Sequence, residues 1–131
     1  MNFENTIADL LGRGIDVRFR ARGDSMHPTI RCGEQLHVQP VVPGALSRGE
    51  VILARHARGL TAHRVVRIDG ARIITRGDNC SDDDPQIVAG DILGRVKLVK
   101  ARGWVRRALT DSSRWRRRLT AAAAVLWQLV R

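Results

Sequence analysis

Apolar residues recur at Phe3, Ile7, Leu10 and Leu11, a helical spacing that stops at Gly12 and Gly14. The period then changes. Ile15, Val17, Phe19 and Ala21 alternate with Asp16, Arg18, Arg20 and Arg22, the two-residue repeat of a half-buried strand. This strand runs directly into Gly23-Asp24-Ser25, and Pro28 follows soon after. Further short strands are predicted at 35–39, 50–55, 60–68, 71–76 and 91–100, separated by glycine and proline. The Asp69-Gly70 pair between two apolar runs predicts a hairpin. An acidic loop, GDNCSDDDP at 77–85, precedes the last of these strands. The pattern implies a mainly β fold, a barrel-like or folded sheet behind a short N-terminal helix over residues 3–12.

From Trp104 onward the pattern reads as helical again. Asp111-Ser112-Ser113 can cap a helix through SRWRRRLTAAAAVLWQLVR, whose apolar stretch, Leu119–Val130, is only 12 residues long. Residues 1–103 are therefore expected to form the main domain, with its motif blocks in 23–85, and 104–131 a basic helical tail. A chain of 131 residues suits one compact domain. No apolar run approaches the ~18 residues of a membrane span. The start, MNFENTIADLLGRG, lacks the basic region and apolar core of a secretory signal. The expected location is cytoplasmic, or peripheral at the cytoplasmic membrane. Cys32 and Cys80 are too few for a disulfide framework and are read as structural.

The net charge of +10 changes meaning once it is located. Residues 1–96 carry 13 Arg against 12 Asp+Glu, whereas residues 97–131 carry ten Lys+Arg against Asp111 alone. The main body is nearly neutral, and no specific nucleic-acid partner is expected. The basic tail has three readings: packing on its own domain, docking another protein, or binding an anionic membrane surface through residues 113–131. Arg114, Arg116, Arg117 and Arg118 beside Trp115, Leu119, Leu126 and Trp127 suit the last.

Three pieces carry candidate chemistry: RGDSMHPTI with Ser25, TAHRVV with His63, and RGDNCSDDDP with several carboxylates. A serine hydroxyl needs a base to take its proton, and the base works best when a third group holds its tautomer. Gly23 would let a substrate carbonyl approach the backbone, where the amides of Ser25 and Asp24 face a developing oxyanion. An oxygen-rich run such as Asp82-Asp83-Asp84 can also hold Ca²⁺, but it is usually a solvated loop, and neither metal nor cofactor is expected. His27, His37 and His56 are read as surface residues.

The blocks SMHPTI, RGEVILA, HRVV, RGDN and DILGRV resemble, in order, those of the signal peptidase I family, whose structural relatives are the self-cleaving SOS repressors. The resemblance covers roughly residues 17–100. It implies a coiled antiparallel sheet or partial barrel and serine endopeptidase cleavage of an extended peptide. Within that family the base is Lys or His, and the only lysines here, Lys97 and Lys100, lie beyond the acidic loop. The resemblance therefore implies Ser25 as nucleophile, His63 as base and Asp84 as its acidic partner. Asp83 is close enough to exchange places with Asp84. Asp78 and Arg64 are expected to support the site, and Met26 and Pro28 to lie in the substrate cleft.

The chain is expected to depart from that family in having neither its N-terminal transmembrane segment nor its large second domain, and it places Gly23 where many bacterial members have a serine. The expected partner is a peptide or precursor-protein substrate of leader or signal-like type. Two other functions fit the same blocks. One is a repressor-like autoprotease, although only 24 residues precede Ser25. The other is a catalytically silent peptide-binding β module.

Overall fold

The computed structural model describes residues 2–57, 59–101, 104–107 and 128–129. Helix α1 spans Phe3–Gly12, and the Asn2 side chain caps it by accepting from the Asn5 amide at 2.8 Å. Its apolar face buries Ile7 and Leu11, and the Phe3 ring meets Phe19 edge-on with centroids 5.7 Å apart. Strand β1, Val17–Arg22, alternates strictly between buried and exposed positions, as its sequence period requires.

The remaining strands are β2 (Gln35–Gln39), β3 (Val51–His56), β4 (Gly59–Asp69), β5 (Arg72–Arg76), β6 (Ile87–Val88), β7 (Ile92–Ala101), β8 (Trp104–Arg107) and β9 (Gln128–Leu129). They pair antiparallel in the order β6-β5-β4-β3-β7-β2-β1-β9, with β8 on β7. The protein is thus mainly β with one short N-terminal helix among the described residues, as the pattern predicts. Two apolar clusters form the core. The larger contains Leu11, Phe19, Met26, Leu36, Leu53 and Val99; the smaller contains Ile52, Ala54, Val65 and Ile73. Strand β3 is buried at its first four positions, so it lacks the alternation of β1.

Three elements depart from the sequence reading. The β4–β5 hairpin pairs Asp69 with Arg72, so its turn is Gly70-Ala71, one residue later than the Asp-Gly signal. Gly70 has φ +60°, a left-handed conformation that glycine adopts most readily because it has no Cβ. Trp104–Arg107, assigned to the tail, is a strand that pairs Ala101 with Trp104 and Leu98 with Arg107. Trp and Val are strand-favouring residues, and two intervening residues suffice for a hairpin. Gln128–Leu129 lies within the expected C-terminal helix, yet it pairs as a strand with Arg22 and Ala21. The rest of that helix, and with it the expected membrane surface, falls outside the described residues.

The sheet also coils. Strand β1 stands four places from β4 in the pairing order, yet β9 pairs with β1 and lies against β4 as well. The sheet's right-handed twist, helped by irregular pairing within β2–β7, β3–β7 and β4–β5, curls its far edge back toward β4. That curvature brings the turn after β1 to the middle of β4.

Candidate active site

Strand β1 ends in Gly23, whose φ of +80° turns the chain sharply into Asp24-Ser25. The turn is fastened from the acidic loop: the Asn79 amide donates to the Ser25 carbonyl at 2.7 Å, and the Asn79 side chain donates to the Asp24 carbonyl at 3.1 Å. Beneath it, Met26 is fully buried in the larger core cluster, and its sulfur accepts from the Asp78 amide at 3.3 Å. Met26 therefore anchors the turn from below and does not line a cleft. Pro28, on a cis peptide bond after His27, is exposed. Asp24 is exposed too, so any role in oxyanion binding belongs to its backbone amide.

Ser25 Oγ lies 2.9 Å from His63 Nε2. The other ring nitrogen, Nδ1, lies 2.5 Å from Asp84 Oδ2. A carboxylate only accepts, so Nδ1 carries a proton and donates to Asp84; in the neutral imidazole Nε2 is then the nitrogen that accepts from the serine hydroxyl. Ser25 and His63 are buried, at 0% and 1% exposure. Burial disfavours the Asp84 charge, but hydrogen bonds from His63 and Thr75, with attraction to His63 and His56, outweigh it. The carboxyl is held below the usual carboxylate range and is ionised at neutral pH.

Asp83, the neighbour that the motif resemblance leaves interchangeable with Asp84, points elsewhere. It is 44% exposed and pairs with Arg76 at 3.3 Å. Asp78 and Arg64 form a fully buried pair, with Arg64 Nε 2.9 Å from Oδ1 and Nη2 2.8 Å from Oδ2. Arg64 also donates to the Gly49 carbonyl at 2.6 Å, and Thr29 donates to Asp78 at 2.5 Å. This pair ties β4, one residue after His63, to the loop that carries Asn79 and Asp84. It touches neither ring nitrogen of His63.

Two contributors, Thr75 and Gly77, were not singled out from sequence, and His56 was placed differently. Thr75 on β5 donates to Asp84 Oδ2 at 2.7 Å; its inward position follows from the alternation of ARIITR. Gly77 is packed so tightly that a Cβ there would stand 2.6 Å from the Ser25 carbonyl, 2.7 Å from Cys80 Sγ and 3.1 Å from His63 Nε2. His56, expected at the surface, is only partly exposed, with its ring centroid 6.4 Å from that of His63. Burial lowers its pKa against the pull of Asp84, and its Nδ1 finds no hydrogen-bond partner among the described residues. Burial and the Asp84 charge push the Cys80 thiol up, away from the thiolate form. Among the described residues no cluster of His, Cys, Asp or Glu is arranged to hold a metal ion.

A coiled antiparallel sheet that joins serine, histidine and aspartate by hydrogen bonds from three separate segments has the architecture and residue types of a serine-peptidase domain. The chain belongs to the Peptidase S24-like family, which it matches over residues 8–97. This family lies on the repressor-like side of the superfamily that the sequence blocks resemble, and signal peptidase I itself is not the family matched. A search of curated proteins returns no matching relative. No helix among the described residues is long and apolar enough to cross a membrane.

Proposed function

We propose that this chain is a serine endopeptidase that cleaves a leader or signal-like peptide, with Ser25 as nucleophile, His63 as general base and Asp84 orienting His63. The observation that carries the reading is the continuous hydrogen-bonded line from Ser25 Oγ through His63 to Asp84. Membership of a peptidase family supports the reaction class. The leader-like substrate rests on the resemblance of the motif blocks.

In this mechanism the Ser25 oxygen attacks the scissile carbonyl while its proton passes to His63 Nε2. The resulting imidazolium faces an ionised Asp84, whose charge stabilises it. The carbonyl electrons move onto oxygen, where the amides of Ser25 and Asp24 offer hydrogen bonds. Collapse expels the amine, which takes the proton from Nε2 and leaves a Ser25 ester. Water then attacks the ester, again giving its proton to Nε2, and the released Ser25 oxygen recovers that proton. Activation through a neutral imidazole needs no lysine.

Incubating the chain with synthetic leader-like peptides, read by mass spectrometry, tests the proposal. Cleavage at a defined bond that disappears in Ser25→Ala is expected. Cleavage at an undiminished rate by rigorously purified Ser25→Ala contradicts it. The intact mass of the chain in the same experiment separates cleavage in trans from the autoprotease reading.

A further inference from the structure

The Ser25 hydroxyl, which the proposed reaction must expose to a peptide, is completely buried. A groove beside it is nevertheless defined by two strand edges. The Ala21 amide donates to Glu34 O at 2.9 Å and the Ala21 carbonyl accepts from the Gly33 amide at 2.8 Å, so Ala21 faces β2. Backbone direction alternates along a strand, so the amides and carbonyls of Arg20 and Arg22 face the opposite edge. On the other side, β5 pairs with β4 only from Arg64 onward, which leaves the Gly59–His63 stretch without β5. Arg22 ends β1 three residues before Ser25, and His63 itself ends the unpaired stretch of β4, so both edges run into the site. Strand β9 lies there: Gln128 is opposite Arg22, Leu129 is opposite Ala21, and the same two residues lie against β4.

We infer that the segment at Gln128–Leu129 occupies the peptide groove of its own active site, adding antiparallel to the edge of β1 as a competitor of extended peptides. The inference rests on the peptidase reading for its significance, and on two observations for its content: the β1–β9 pairing and the place of the same two residues against β4. An extended peptide entering the groove would need the same backbone groups of Arg22 that Gln128 stands opposite, because main-chain hydrogen bonds along a sheet edge provide affinity in this mode. The tethered strand has a high effective concentration, so a free peptide must outcompete it. Activity toward peptides is therefore restrained until β9 is displaced.

The test measures binding without catalysis. In full-length Ser25→Ala protein, a fluorescent peptide with the sequence of residues 121–131 (AAAAVLWQLVR) is titrated by anisotropy against chains carrying Gln128 or Gln128→Pro. Proline lacks the amide that would bond to Arg22, so it releases β9 while the labelled peptide keeps its own. At least about tenfold tighter binding by Gln128→Pro is expected, equivalent to about 1.4 kcal/mol. Gln128→Gly should move affinity in the same direction, which guards against a proline-specific folding defect. Hydrogen exchange supplies a second readout: the Arg22 amide should be protected in the unaltered chain and lose protection in Gln128→Pro. Equal affinities in all three chains, or an unprotected Arg22 amide in the unaltered chain, overturn the inference. Ser25 hydrolysis enters neither readout, so a chain that shows this competition yet cleaves nothing refutes the catalytic reading alone.

Discussion

At the scale of single residues, the site depends on how little space separates the serine turn, the histidine ring and the acidic loop. Gly77 is the clearest case, since any Cβ there must displace the Ser25 carbonyl or the Cys80 sulfur and crowd His63 Nε2. Gly77→Ala should therefore reduce kcat at least about tenfold, about 1.4 kcal/mol of barrier, with a smaller change in KM. Steady-state kinetics beside a thermal melt checks this, and an alanine variant with unchanged kcat would show the packing to be irrelevant. Asp84→Asn should lower kcat by a factor on the order of 10³–10⁴, because an amide can favour the wrong histidine tautomer. Asp83→Asn should leave it almost unchanged, since Asp83 pairs with Arg76. Comparable losses in the two variants would remove Asp84 from its assigned role.

His56 gives a stability prediction with a definite sign. Burial holds its folded pKa below the ordinary histidine value of about 6.5, so the unfolded chain binds more protons between the folded value and about 6.5. Its contribution is fully present above that range and is lost as pH falls through the folded pKa. Denaturant unfolding at pH 7.5 and 5.5 should show a smaller loss of stability in His56→Gln than in the parent chain. An equal loss would place the titration elsewhere.

At the scale of elements, the Arg64–Asp78 pair joins the strand that carries His63 to the loop that carries Asn79 and Asp84. Both side chains are fully buried, so Asp78→Asn leaves an under-compensated guanidinium in the core. Such a change costs about 3 kcal/mol or more, and urea unfolding should show a loss of that order. A loss within experimental error would mean that water or another acceptor replaces the carboxylate. Element boundaries were legible where one face is buried and one solvated: VRFRAR and the helix FENTIADLLG follow their apolar periods closely. Ile87–Val88 is too short for any period, and Trp104–Arg107 was concealed by the surrounding arginines and alanines. Sequence patterns do not report strand pairing, which decides both.

For the whole molecule, function follows from the coiling of the sheet, because β1 and β4 are not neighbours in the pairing order yet deliver Ser25 and His63 to within 2.9 Å. The blocks around Ser25, His63 and Asp84 were readable because their residue types and order resemble a family pattern. What separates Asp84 from Asp83 was not, since it depends on which of two adjacent carboxylates turns toward β4 and which toward Arg76. Met26 misled for a related reason: its place beside the nucleophile suggested the cleft, whereas the turn directs it into the core. Nor does helical periodicity in residues 113–131 reveal that Gln128–Leu129 pairs with β1.

The most direct test of the central claim is the rate at which a fluorophosphonate probe modifies Ser25, measured by peptide mapping in the unaltered chain and in the Gln128→Pro chain. A single adduct at Ser25 is predicted, absent in Ser25→Ala and formed at least about tenfold more slowly in His63→Ala, since the base sets the reactivity of the hydroxyl. No adduct at Ser25, or equal labelling rates with and without His63, would contradict the account.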